Sequence, residues 1–137
     1  MNVVTLNNDI TVWCVTAESF PMGIGKAFKI LEEKVGITAR MLYGVSSPDR
    51  NTIVYKAGVE AKNNEHIDGC EKFIIKKGTY ISQTIIDWKK DETSIGKTFQ
   101  SLLQDPRIDP NGACIEQYLN SNDVICMVRL DDKHVNN

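Results

Sequence analysis

One short segment occurs twice in this chain, and that recurrence limits the available folds more than any bulk property. Ile24, Gly25, Lys26, Phe28 and Leu31 return as Ile95, Gly96, Lys97, Phe99 and Leu102 at a constant offset. A strand-like run precedes each copy and two more follow it. The pattern predicts an internal duplication of a β-α-β-β unit, with pseudo-repeats at about 9–59 and 79–130 and a linker at about 60–78. Both helices would lie on one face of an antiparallel sheet, and the join would create a central cleft. The expected class is α+β, as a single domain over residues 1–137.

The first unit reads as a strand over 9–17, a helix, and strands over 40–45 and 52–59. Ile24, Ala27, Phe28, Leu31 and Val35 make an apolar stripe at helical spacing, and Gly36 is the expected stop. Ser19 is a candidate N-cap and Pro21 fits an early helical position. The turn SSPDRN joins the two later strands. In the second half, KFIIK reads as a short extended lead-in and TYISQTIIDW as a full strand. A helix follows with Ile95, Thr98, Phe99, Leu102 and Leu103 turned inward, and Asp91 or Thr93 at its cap. Strands over 113–119 and 124–130 and a polar tail complete the chain. Gly25 and Gly96 are explained by close backbone packing where the helices open.

Composition narrows the function classes. A 42% hydrophobic content supports a full core, and a net charge of -2 with interspersed signs gives no basic face for nucleic acid. No run nears the roughly 18 apolar residues of a membrane span, and the N-terminal residues lack a secretory signal pattern. Cys14, Cys114 and Cys126 sit in apolar runs and Cys70 follows a polar loop, a pattern of free thiols in a reducing cytoplasm. His66 and His134 lie in polar segments and the cysteines lack C-x-x-C spacing, so neither a metal site nor a cofactor is expected. Gly23-Ile24-Gly25-Lys26 matches no phosphate-loop pattern.

Glu116 stands out because it interrupts an apolar strand. Alternation sets Cys114, Glu116 and Tyr118 on one face, against Ile115, Gln117 and Leu119. A carboxylate buried there without a partner would cost several kcal/mol, which a useful anion in a pocket would justify. A solvent-facing edge residue fits the same pattern. Trp13, Tyr43, Tyr55, Tyr80, Trp88 and Tyr118 supply rings with polar tips, suited to a flat or cationic guest, and each also suits an ordinary core position. Glu60 and Glu18 are further carboxylates that would border the join or simply face solvent.

Segments 20–36, 43–60, 73–85 and 111–119 together resemble the GyrI-like small-molecule-binding family, also found as the effector-binding domain of AraC-type and MerR-type transcription activators. That resemblance implies two β-α-β-β repeats around a cleft that takes hydrophobic, often cationic, molecules. It places Glu116 where a glutamate of the penultimate strand opposes the cation, with Tyr118 two residues on. Trp88 and Tyr80 stand where cavity aromatics are expected. The chain shows no helix-turn-helix segment beside this domain, so a regulatory role would require a protein partner. Standalone relatives include hydrolases of reactive compounds, which would use Glu116 and Trp88, with Glu60 as a second carboxylate. Others are interaction modules that antagonise gyrase inhibition. The reading that follows is binding of an amphipathic organic cation in the cleft, with the hydrolase and the interaction module as alternatives.

Overall fold

The computed structural model describes residues 1–36 and 39–135. In chain order its elements are β1 (Asn2–Leu6), β2 (Ile10–Thr16), α1 (Ile24–Val35), β3 (Leu42–Asp49), β4 (Thr52–Glu60), β5 (Glu71–Ile75), β6 (Gly78–Ile85), α2 (Ser94–Leu102), β7 (Cys114–Tyr118), β8 (Val124–Arg129) and α3 (Asp132–Val135). They fall into two compact units, one spanning Asp9–Ile75 and the other made of Met1–Asn8 with Lys76–Asn137. The class is α+β, and each strand pair within a unit is antiparallel.

Within the Asp9–Ile75 unit the strand order is β5-β2-β4-β3. The strand before the helix therefore sits between the last hairpin strand and an added edge strand. Within the other unit the order is β1-β6-β8-β7, the same arrangement of roles. Each unit thus carries a fourth strand beyond β-α-β-β. In one it follows the hairpin as β5, and in the other it precedes the core strands as β1. The polar tail includes the short helix α3.

Helix α1 covers the face of its sheet that carries Trp13, Tyr55, Ala57 and Val59, and contributes Ala27 and Leu31 to that core with Ile24, Phe28 and Val35 at its margin. Gly36 ends the helix at a positive φ of 84°, its N–H bonded to the Glu32 carbonyl. Arg50 and Asn51 both hold positive φ between β3 and β4, so the hairpin closes on a tight two-residue turn rather than a longer loop. In the other unit, Phe99 and Leu102 of α2 pack on Ile81, Val124, Cys126 and Val128. All four cysteines are free, with Cys14 and Cys126 buried. Among the described residues no helix is long and apolar enough to cross a membrane.

Four expectations need correction. Helix α1 begins only at Ile24, with Gly23 at the N-cap and no side-chain cap bond. Pro21 lies in the preceding turn, after a cis peptide with Phe20. Gly23 is the glycine that close approach requires, because a Cβ there would meet the Ser19 carbonyl oxygen at 2.8 Å. Leu103 falls just past α2 and is exposed, so the buried stripe ends at Leu102. Trp88 does not extend the strand but begins a 3-10 turn, because Asp87 adopts a left-handed conformation and redirects the chain.

The fourth concerns Gly25 and Gly96, where an added Cβ would meet nothing within 4 Å. Close packing is therefore not what these positions provide. Gly25→Ala and Gly96→Ala should each stabilise the protein by about 0.5 kcal/mol, since alanine gives up less backbone freedom in a helix. Urea midpoints of the single and double variants check this, and a lower midpoint in either single variant would contradict it.

Candidate functional site

The site with the most unusual chemistry grows from β7, the shortest strand of its hairpin. Cys114, Glu116 and Tyr118 lie opposite Val128, Cys126 and Val124 of β8. Directly paired residues of an antiparallel ladder share a face. The three β8 residues belong to the core beneath α2, so Glu116 is turned to the same side as that core. It is only 6% exposed. The Tyr118 hydroxyl donates a hydrogen bond to its Oε1.

Trp88 completes the group, its ring meeting that of Tyr118 edge-on at 6.0 Å between centroids and 62° between planes. The turn carrying it is fastened to the β7–β8 loop. The Trp88 backbone N–H donates to the Asn122 carbonyl at 3.0 Å, and the Asp87 N–H donates to Asp123 Oδ1 at 3.0 Å. Lys89 Nζ stands 5.6 Å from the Trp88 ring centroid, within cation–π range. The buried indole N–H of Trp88 has no hydrogen-bond partner among the described residues.

Electrostatics follow from burial. Withdrawal from water pushes the Cys126 thiol up to about 12, and the negative charge of Glu116 directly opposite adds to the rise. A carboxylate in such a setting gains from any cation that comes within reach, because the weakly screening surroundings strengthen the attraction. The aromatic rings of Tyr118 and Trp88 add attraction for a cation or a flat apolar body.

Of the remaining candidates, Tyr80 shares the unit of Glu116, and Trp13, Glu18, Tyr43, Tyr55 and Glu60 belong to the Asp9–Ile75 unit. Tyr80 pairs with Arg129 and Val4, which places it on the other face of its sheet from Glu116. It is buried there, and its hydroxyl donates to the Lys76 carbonyl at 2.6 Å. Trp13 and Tyr55 belong to the Asp9–Ile75 unit and join the core under α1. Tyr55 lies between Phe20 at 6.1 Å and Phe28 at 6.2 Å. Trp13 meets His66 edge-on at 5.6 Å and has Lys72 Nζ 5.4 Å from its centroid. Tyr43 is buried on the opposite face of that sheet, in register with Gly58 and Cys14. Glu60 Oε1 accepts the Met41 N–H at 2.9 Å, a bond that secures the start of β3. Glu18 is exposed and 3.8 Å from Lys26 Nζ.

Of the predicted set, Glu116, Tyr118 and Trp88 come together in one unit. Sequence reasoning overlooked Cys126 as the residue facing Glu116 and Lys89 as the cation over Trp88. The hairpin register carried the first signal, and adjacency to Trp88 the second.

No protein-family model matches this chain, and no curated protein matches it. Solved structures do. An integron cassette protein, VCH_CASS2, from the mobile metagenome of Vibrio cholerae superposes with a TM-score of 0.70 at 14% identity, over 95% of each chain. SAV2435, solved bound to tetraphenylphosphonium, superposes with a TM-score of 0.69 at 9% identity, covering 98% of this chain and 95% of that one. The chain has their fold. At such identities the likeness extends to architecture and not to individual side chains.

Proposed function

We propose that this protein binds hydrophobic or amphipathic organic cations, with Glu116 as the counter-charge and Tyr118 and Trp88 as the aromatic wall. The observation that carries the reading is a carboxylate at 6% exposure, hydrogen-bonded to a tyrosine that itself meets a tryptophan. A carboxylate so far withdrawn from water attracts a cation strongly, because its surroundings screen charge weakly. SAV2435, which shares the fold, was solved with a lipophilic cation bound, and this supports the same ligand class here. The equal strand orders of the two units support descent from one duplicated β-α-β-β unit with an added edge strand.

Charge pairing at about 4 Å would contribute roughly 4 kcal/mol at an effective dielectric near 20, before desolvation is subtracted. Glu116→Gln should therefore weaken tetraphenylphosphonium by at least about tenfold, or 1.4 kcal/mol. The neutral triphenylphosphine oxide should lose little. Quenching of Trp88 fluorescence follows both titrations, with a Trp13→Phe background to isolate the signal. Equal losses for the two compounds would point to general disruption and defeat the charge-pairing reading.

A further inference from the structure

The Asp9–Ile75 unit has a hollow of its own that the Glu116 site does not use. We propose that it is a second small-molecule site, for an uncharged planar aromatic compound. Its walls are the connection from β2 to α1, including Ala17, Glu18 and Phe20, and the start of β4 at Ile53 and Val54. The volume is about 580 Å³, within the usual range for small-molecule sites. A smaller hollow of about 260 Å³ shares Ala17 and Glu18 and extends to Met22 and Ile30.

Three large apolar side chains are left open along this one surface: Phe20 at 42%, Ile53 at 45% and Met22 at 88% exposure. Scattered exposed apolar residues are ordinary, but a cluster bordering a concave surface marks a binding region. Phe20 is also backed by structure. Its ring lies 6.1 Å from that of Tyr55 at only 30° between planes, and Tyr55 is buried and held from another side by Phe28. A half-exposed ring supported by a buried one is a platform on which a further ring can stack with little ordering of the protein.

The charge of the lining selects the ligand. Among the described residues that line the larger hollow Glu18 alone is ionisable, and Lys26 lies 3.8 Å from it. An anion would meet this carboxylate, and the two ammonium groups that border the hollow are already engaged, Lys26 with Glu18 and Lys56, which also donates to Thr16, with Glu71. A cation would meet a carboxylate that is already paired and highly solvated. Ser19 and Asn51 offer uncharged hydrogen-bonding groups at the rim, which suits a neutral ring compound with one polar edge.

N-phenyl-1-naphthylamine is such a compound, and 8-anilinonaphthalene-1-sulfonate carries the same skeleton with an added anionic group. Both brighten on leaving water, so fluorescence titration of the full chain measures them directly. The neutral probe should bind saturably at one equivalent, at least tenfold tighter than the sulfonate. Ile53→Ser and Phe20→Ser should each weaken it tenfold or more. Glu116→Gln, which alters no residue of this lining, should leave it unchanged. Ile53 is a surface residue, so its variant retains the fold even if Phe20→Ser disturbs the packing on Tyr55, and thermal melting verifies this. Absence of saturable binding, or unchanged affinity in both groove variants, would overturn the proposal. Loss on Glu116→Gln with intact binding in Ile53→Ser would assign the probe to the other site and refute a second one. Equal affinity for the two probes would refute the charge selection.

Discussion

Between pH 9 and pH 11, folding stability is expected to fall by about 4 kcal/mol through two cysteine thiols alone. Burial pushes both Cys14 and Cys126 from an ordinary 9.0 up to about 12. In the unfolded chain these thiols ionise near pH 9, whereas in the folded protein they stay protonated until about pH 12. Over that window the unfolded state binds fewer protons, so stability declines as pH rises, by up to about 1.4 kcal/mol per pH unit for each thiol. Below pH 9 both states carry the proton and the contribution is intact. Two neighbours tune the result in opposite directions: the Lys56 charge draws the Cys14 value down, while the Glu116 charge drives that of Cys126 further up.

Lysines and tyrosines titrate in the same range, so the decisive quantity is a difference. Urea unfolding at pH 8, 9, 10 and 11 would be compared between the natural protein and a Cys14→Ala, Cys126→Ala double variant. The variant should be weaker at pH 8, because two core side chains have been cut back. Its stability should then fall more gently with pH, and the two curves should converge toward pH 11. Parallel curves would mean that these thiols ionise in the folded state much as they do in the unfolded one.

The contrast between what the sequence disclosed and what it concealed follows the physics of each feature. Helical stripes are local and periodic, so Leu31 and Leu102 could be placed inward from spacing alone. Gly36 was readable as a stop because its backbone conformation is one that glycine adopts freely. Alternation along CIEQY likewise assigned Glu116 and Tyr118 to one face before any pairing was known. What alternation leaves open is which side is covered, because burial of Glu116 depends on β8 and α2 rather than on its own strand. Edge strand β1 was missed because NVVTL is short and its partner, β6, lies more than seventy residues away. The bend at Asp87 was missed for another reason: TYISQTIIDW is strand-like throughout, and the left-handed turn at Asp87 is held by non-local bonds from Trp88 to Asn122 and from Asp87 to Asp123. Gly25 and Gly96 looked like packing glycines because they recur, but recurrence shows that a feature is shared and not why it is there.

Leu102→Ala should remove about 3 kcal/mol of stability, lowering the melting temperature by roughly 10 °C in a protein of this size. Helix α2 has nine residues, and few of them reach the core. Leu102 is 0% exposed at the last position before the chain leaves the helix, in a cluster with Ile81, Phe99, Val124, Cys126, Val128 and Leu130. Truncation forfeits the transfer of its side chain from water and leaves a cavity. Neighbours on β8 are held by ladders on both sides, so they have little freedom to collapse into it. The adjacent Leu103 supplies the control, since it is the same residue type, one position on, and exposed. Leu103→Ala should change stability by less than about 0.5 kcal/mol. The comparison also bears on the candidate site, because the core that Leu102 fills contains Cys126, the residue facing Glu116. A weakened core under Cys126 should loosen the carboxylate's setting, so Leu102→Ala should lower tetraphenylphosphonium affinity even at temperatures where the variant is fully folded, whereas Leu103→Ala should not. Calorimetry on the two variants, followed by titration well below the lower melting point, separates these effects. Equal melting temperatures would show that the buried stripe of α2 does not end where the structure places it.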